Sequence, residues 1–206
     1  MSIEDDWFED DWLASRMQII LRELKNKYPD ADISPFLNRA AEGFVPNPLQ
    51  LESSGKKENI VLAGLIHREY ALSITAGIIN ASFESGKATI EHEGNKIDIT
   101  NELIELLPDL AIACCLSIRD LSVDDVLWSE DIDELIGIVS FVIYAGVLLR
   151  NVNLMENLLT ILISTASSIK NSKVRQKFSE QIYKDLTELG LSRLGQIFMD
   201  ISTQSS

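Results

Sequence analysis

Fifteen consecutive uncharged residues, Leu135 to Leu149 (LIGIVSFVIYAGVLL), limit what this chain can fold into more than any other feature. The run falls short of the roughly 20 apolar residues a helix needs to span a bilayer, and Glu134 and Arg150 bracket it. As a helix it is apolar on every side, which suits the centre of a packed helical protein. A second apolar run, Leu154 to Ala166, is broken by Glu156 and Asn157. Both runs read as core, and no membrane span is expected.

The rest of the chain supplies helices to pack around that core. Leu13, Met17, Ile20, Leu24 and Tyr28 recur at spacings of four, three, four and four, which predicts a helix from about Asp5 to Tyr28. Ser34-Pro35 reads as a cap followed by proline at the first helical position, opening a short helix to about Glu42. Residues 43–59, with two prolines, two glycines and two serines, read as a strap or linker. A helix from about Lys57 to Phe83 follows, and its middle, His67-Arg68-Glu69, must reach solvent or find partners. Pro108 is expected to split a short helix from one ending near Arg119. Further helices are expected near 130–150, 153–169, 173–188 and 191–202, with Phe178, Ile182, Leu186 and Leu189 as a stripe and Gly190 as a stop.

One β element interrupts them. In Lys87–Thr100 (KATIEHEGNKIDIT) two alternating runs flank Gly94-Asn95, a two-residue loop suited to a type II′ turn. That register sets Glu91 against Asp98 and Ile90 against Ile99, with Ile90, His92, Ile97 and Ile99 on one face. An isolated hairpin is marginal, so this face should lie on helices. The expected fold is therefore mostly α: an irregular helical bundle or short α-solenoid of about eight helices, carrying a small β-hairpin at about 87–100, in a single helical domain spanning 1–206. No internal repeat period appears that would prove a solenoid.

Charge is unevenly placed. Residues 1–11 carry six acids and no base, and residues 98–134 carry eleven acids against Arg119 alone, so the remainder is +2 within a total of −14. This balance argues against binding a nucleic-acid backbone or an anionic membrane, each of which needs clustered Lys and Arg. The small cluster Lys170, Lys173, Arg175 and Lys177 reads as a solvated helix start. Cys114 and Cys115, adjacent and set in an apolar run, read as small buried hydrophobes, because neighbouring cysteines rarely close an unstrained disulfide. With no other thiols and an acidic N-terminus, a cytoplasmic setting is expected.

The acids from Asp120 to Glu134 imitate calcium-loop spacing at Asp120, Ser122, Asp124 and Asp131, but the sixth place is Asp125 where a glycine is needed, and the twelfth is Asp131 where a glutamate is usual. N-capping by Ser122 and Ser129, with acids in the first turns that follow, explains their positions better. It leaves unexplained why bases are almost missing from 98–134. His67 and His92 are the only histidines, and His67-x-Glu69 lacks the cysteine pair that zinc-deaminase chemistry would require. No catalytic constellation, cofactor or metal site is expected.

The expected function is a non-enzymatic acidic protein that binds a partner with a basic surface, as an inhibitor or immunity-type protein covering a nuclease toxin's nucleic-acid site would. Its expected contacts are Glu4, Asp5, Asp6, Trp7, Phe8, Glu9, Asp10, Asp11 and Trp12 at the N-terminus, and Asp120, Asp124, Asp125, Glu130, Asp131, Asp133 and Glu134 further on. Carboxylates would speed the encounter and aromatics would prolong it. Two other readings stand beside it: a scaffold or adaptor subunit with apolar helices 132–166 partly exposed, and a small helical enzyme or ligand-binding domain with a pocket near His67. Self-association as a homo-oligomer would favour the scaffold reading.

Overall fold

A computed structural model describes residues 10–203; Glu4, Asp5, Asp6, Trp7, Phe8 and Glu9 lie outside the described residues, as do the side chains of Asp10 and Asp11. The architecture is mostly α. Helices α1 (Asp10–Lys27), α2 (Ser34–Ala40), α3 (Pro48–Ser53) and α4 (Lys57–Ile78) lead into strands β1 (Ser82–Glu84), β2 (Lys87–His92) and β3 (Asn95–Asp98). Helix α5 (Thr100–Leu121), a single 3-10 turn (Ser122–Asp124), α6 (Asp125–Leu148), α7 (Val152–Ser168), α8 (Ser172–Glu188) and α9 (Ser192–Ser202) complete it. No helix among the described residues is long and apolar enough to cross a membrane.

Helix α5 is the hub, packing on α4, α6 and α7. Its Leu103, Leu107, Leu110, Ala111, Cys114, Ile118 and Leu121 are buried, and they meet the apolar run of α6, where Leu135, Val139, Val142, Ile143 and Ala145 are buried too. The α1 stripe behaves as its spacing requires, with Met17, Ile20 and Leu24 buried, and so does that of α8, with Phe178, Ile182 and Leu186. Asn151 and Asn171 cap α7 and α8 by accepting from backbone N–H groups of their first turns.

The structure corrects several expectations. Pro108 does not split α5, which runs through it unbroken. An interior proline costs about 3 kcal/mol relative to alanine, but burying Leu103, Leu107 and Leu110 around it returns about 1.5–3 kcal/mol for each side chain. The strap at 43–59 contains α3, started by Asn47 accepting from Leu49 N–H, and its Leu51 joins the core. Ser34 is the first residue of α2 and Ile33 takes the cap position.

Helix α4 ends at Ile78 because the chain turns into β1, which makes the expected hairpin a three-stranded antiparallel sheet in the order β1-β2-β3. The β2–β3 loop is Glu93-Gly94, both at positive φ (51° and 78°), as a type I′ turn requires. That moves the register by two residues: Ile90 opposes Ile97, and Glu91 opposes Lys96 and not Asp98. A slip of two keeps every side chain on its expected face, and it replaces a like-charged pair with an opposite one. The Thr100 hydroxyl and N–H both donate to Asp98 and lower its pKa, while Ile99 N–H donates to Ala88 C=O, so the sheet is tied to the start of α5.

Candidate functional site

Of the acids predicted as contacts, Asp124, Asp125, Glu130, Asp131, Asp133 and Glu134 lie along the 3-10 turn after α5 and the first part of α6. Asp124 accepts from the Tyr28 hydroxyl at 2.9 Å and lies 2.6 Å from Lys57 Nζ, so this carboxylate joins the ends of α1, α4 and α5. Burial opposes its charge, but the hydrogen bonds from Lys57 and Tyr28 hold its pKa below the ordinary carboxylate value. Burial also pushes the Tyr28 hydroxyl up to about 12. Asp133 pairs with Lys177 of α8. Ser122 does not cap α6: its hydroxyl donates back to Arg119 C=O. Ser129 sits inside α6, just after Trp128, whose φ of −121° and ψ of 17° kink the helix. That kink seats the Trp128 indole fully in the core, with Lys27 Nζ 3.6 Å over the ring.

Capping therefore does not account for these acids. Asp124, Asp131 and Asp133 instead meet cations from distant parts of the chain, Lys57, Arg68 and Lys177. Arg68, from the middle of α4, shows this best. Its side chain is 8% exposed and ion-pairs with Glu23 of α1, Asp131 of α6 and its neighbour Glu69. Arg16 joins through Glu69 at 2.9 Å, and Lys27 through Asp131 at 3.6 Å. Burial works against the guanidinium charge, but the surrounding carboxylates outweigh it and raise its pKa. The small basic cluster at the start of α8 likewise is not wholly solvated, since Arg175 is buried and donates to Ile169 C=O.

What remains at the corner is a mixed apolar and acidic surface. Val126 is 81% exposed, with Val123 and Leu127 exposed beside it. Glu130 and Glu134, four residues apart on α6 and beyond the Trp128 kink, are exposed as well. Among the described residues, Asp125, Glu130 and Glu134 have no ion-pair partner. On α1, Trp12 and Ile19 are also exposed.

A second polar centre lies where α3, α4 and α5 meet. Gly64 of α4 permits the close approach: a Cβ there would meet Asp120 Cβ at 3.0 Å and Leu121 side-chain carbons at 3.2 Å. The buried Ser117 hydroxyl donates to Gly64 C=O at 2.8 Å and seals the same seam. One turn further along α4, His67 faces Asp120, with Nδ1 3.8 Å from Oδ2. Glu52 of α3 arrives from the strap. Arg119 lies between the two carboxylates, donating to Asp120 Oδ1 at 2.7 Å and Glu52 Oε2 at 2.6 Å. Burial opposes the Arg119 charge, and the two acids more than offset it.

Sequence reasoning placed Asp120 in the acidic surface, but it is 2% exposed and belongs to this second centre. Glu52 was missed because the strap gave no helical periodicity to orient it. Arg68 carried a signal, a charged triplet in an apolar helix that includes its partner Glu69, without a hint of its partners on other helices. Cys114 and Cys115 are buried free thiols, as expected, and burial pushes both pKa values up, that of Cys115 to about 12, so neither is a ready nucleophile. No family model, curated protein or solved structure matches the chain.

Proposed function

We propose that this chain is a non-enzymatic acidic protein that binds a partner with a basic surface through the α5–α6 corner, in the manner of an inhibitor or immunity-type protein covering a nucleic-acid-binding site. The observation that supports this reading is that exposed Val123, Val126 and Leu127 and the unpaired Asp125, Glu130 and Glu134 all fall within residues 123–134, at the 3-10 turn and the first part of α6. An apolar centre with a charged rim is the usual anatomy of a protein interface. The surrounding carboxylates steer a cationic partner and repel nucleic acid. Ion pairing of Asp124, Asp131 and Asp133 within the chain stiffens the ground on which this patch stands and narrows the contact set to the unpaired acids. Trp12 on α1 adds an aromatic anchor for the same kind of partner.

The scaffold reading draws less support, because the apolar helices it would expose turn their Leu135, Val139, Leu154, Leu158 and Leu162 inward. The decisive experiment compares affinity capture by the unaltered chain with that by a Val126→Asp, Glu130→Lys, Glu134→Lys variant, at low and high salt. The expected result is one stoichiometric basic protein, captured less well as salt rises and lost with the variant. Capture that survives both the substitutions and high salt would overturn the proposal.

A further inference from the structure

We propose that Glu52, His67 and Asp120 form a binding site for a divalent first-row transition metal ion such as zinc. The ligand atoms of the three residues lie within 4.8 Å of one another, each brought by a different helix. A tetrahedral ion with bonds of about 2.0–2.2 Å separates its ligand atoms by roughly 3.3 Å, so small side-chain movements close the shell.

The state of the individual atoms carries the inference. Glu52 Oε1, His67 Nδ1 and Asp120 Oδ2 are all buried and none has a hydrogen-bond partner among the described residues. Buried polar atoms without partners are uncommon and call for a specific explanation. Here three of them, on an imidazole and two carboxylates, point to one place. The side chain of Asp120 is 3% exposed, so water offers it little compensation.

Arg119 explains why these atoms in particular are left over. Its guanidinium occupies one oxygen of each carboxylate, Glu52 Oε2 and Asp120 Oδ1, and leaves the second oxygen of each turned toward His67. This is how outer partners orient metal-binding carboxylates. Two carboxylates against one guanidinium also leave one negative charge unbalanced, and a cation between them removes that deficit. One imidazole nitrogen with two carboxylate oxygens suits zinc, manganese or iron(II). It does not suit calcium, which takes six to eight oxygens. Binding would pin α3, and with it the strap, against α4 and α5, and three protein ligands leave one position open.

The full chain, stripped with chelator and dialysed, is titrated calorimetrically with Zn²⁺, then with Ca²⁺ as a control, and its cobalt-loaded form is examined for the visible bands of a low-symmetry Co²⁺ site. The expected result is one Zn²⁺ per chain, a thermal midpoint that rises with Zn²⁺ and not with Ca²⁺, and at least tenfold weaker binding with loss of the cobalt bands in both His67→Gln and Glu52→Gln. Both positions are partly exposed, so these variants carry the test even where Asp120→Asn does not fold. Absence of a 1:1 complex at about 100 μM Zn²⁺ would overturn the proposal. Zinc binding unchanged in His67→Gln would overturn it equally, assigning the metal to surface carboxylates.

Discussion

Arg68 shows how far a single residue can depend on the fold. A guanidinium inside an apolar helix is tolerable only because Glu23, Glu69 and Asp131 surround it, and Glu69 is itself 3% exposed. Removing one member of such a cluster leaves buried charge uncompensated, at a cost of about 3–5 kcal/mol. Arg68→Ala should therefore lower the unfolding free energy by about that much in urea titrations. Arg22→Ala, on the exposed side of α1, should change it by less than about 0.5 kcal/mol. Similar losses for the two would show that the cluster contributes no more than surface charge. The same residue was visible in the sequence within a charged triplet that holds Glu69; Glu23 and Asp131 were not, because they come from α1 and α6.

At the scale of elements, local preference and tertiary packing disagree most openly in α5. Pro108 lacks an N–H and crowds the preceding turn, so local rules end the helix there. The core overrides them, since Leu103 and Leu107 before the proline and Leu110 after it are all fully buried. Pro108→Ala should then restore a hydrogen bond at little packing cost and raise stability by about 1–3 kcal/mol. It would be read as a higher urea midpoint at unchanged slope. A lower midpoint would mean that the proline's shape is needed to seat α5 against α4 and α7. The hairpin makes the complementary point: its existence was legible from alternation, but its isoleucine face is packed only at its base, with Ile99 buried and Ile90 half-buried while His92 and Ile97 are exposed, and its register was decided by positive φ at Glu93 and Gly94 and by pairing Glu91 with Lys96.

For the whole molecule, the acid surplus becomes a pH dependence. Asp124 ties the end of α1 to the start of α4 through Tyr28 and Lys57, and its folded pKa is depressed. Its unfolded pKa is about 3.9. Between the two values the unfolded chain binds more protons, so stability rises with pH there. The contribution is complete above the unfolded value and is lost as pH falls through the folded one. Asp124→Asn should flatten the decline in stability below about pH 4, measured by urea unfolding at a series of pH values. An unchanged acid limb would place the sensitive carboxylates elsewhere.

The sequence by itself determined that the chain is helical, where its last helices begin and end, and that most of Leu135 to Leu149 belongs inside, although Tyr144 of that run is exposed. Those properties rest on periodicity and on the cost of exposing apolar surface, both of which act over a few neighbouring residues. Only the tertiary structure decided which acids are surface and which are structure. Asp120, Asp124, Asp131 and Glu130 look alike along the chain, yet the first three meet Arg119, Lys57 and Arg68 while Glu130 faces solvent. The same holds for the convergence of Glu52, His67 and Asp120, which needs the close approach of α4 and α5 at Gly64 and the return of the strap. Coulombic and coordination chemistry depend on distances in space, and for residues on separate helices those distances are set by packing.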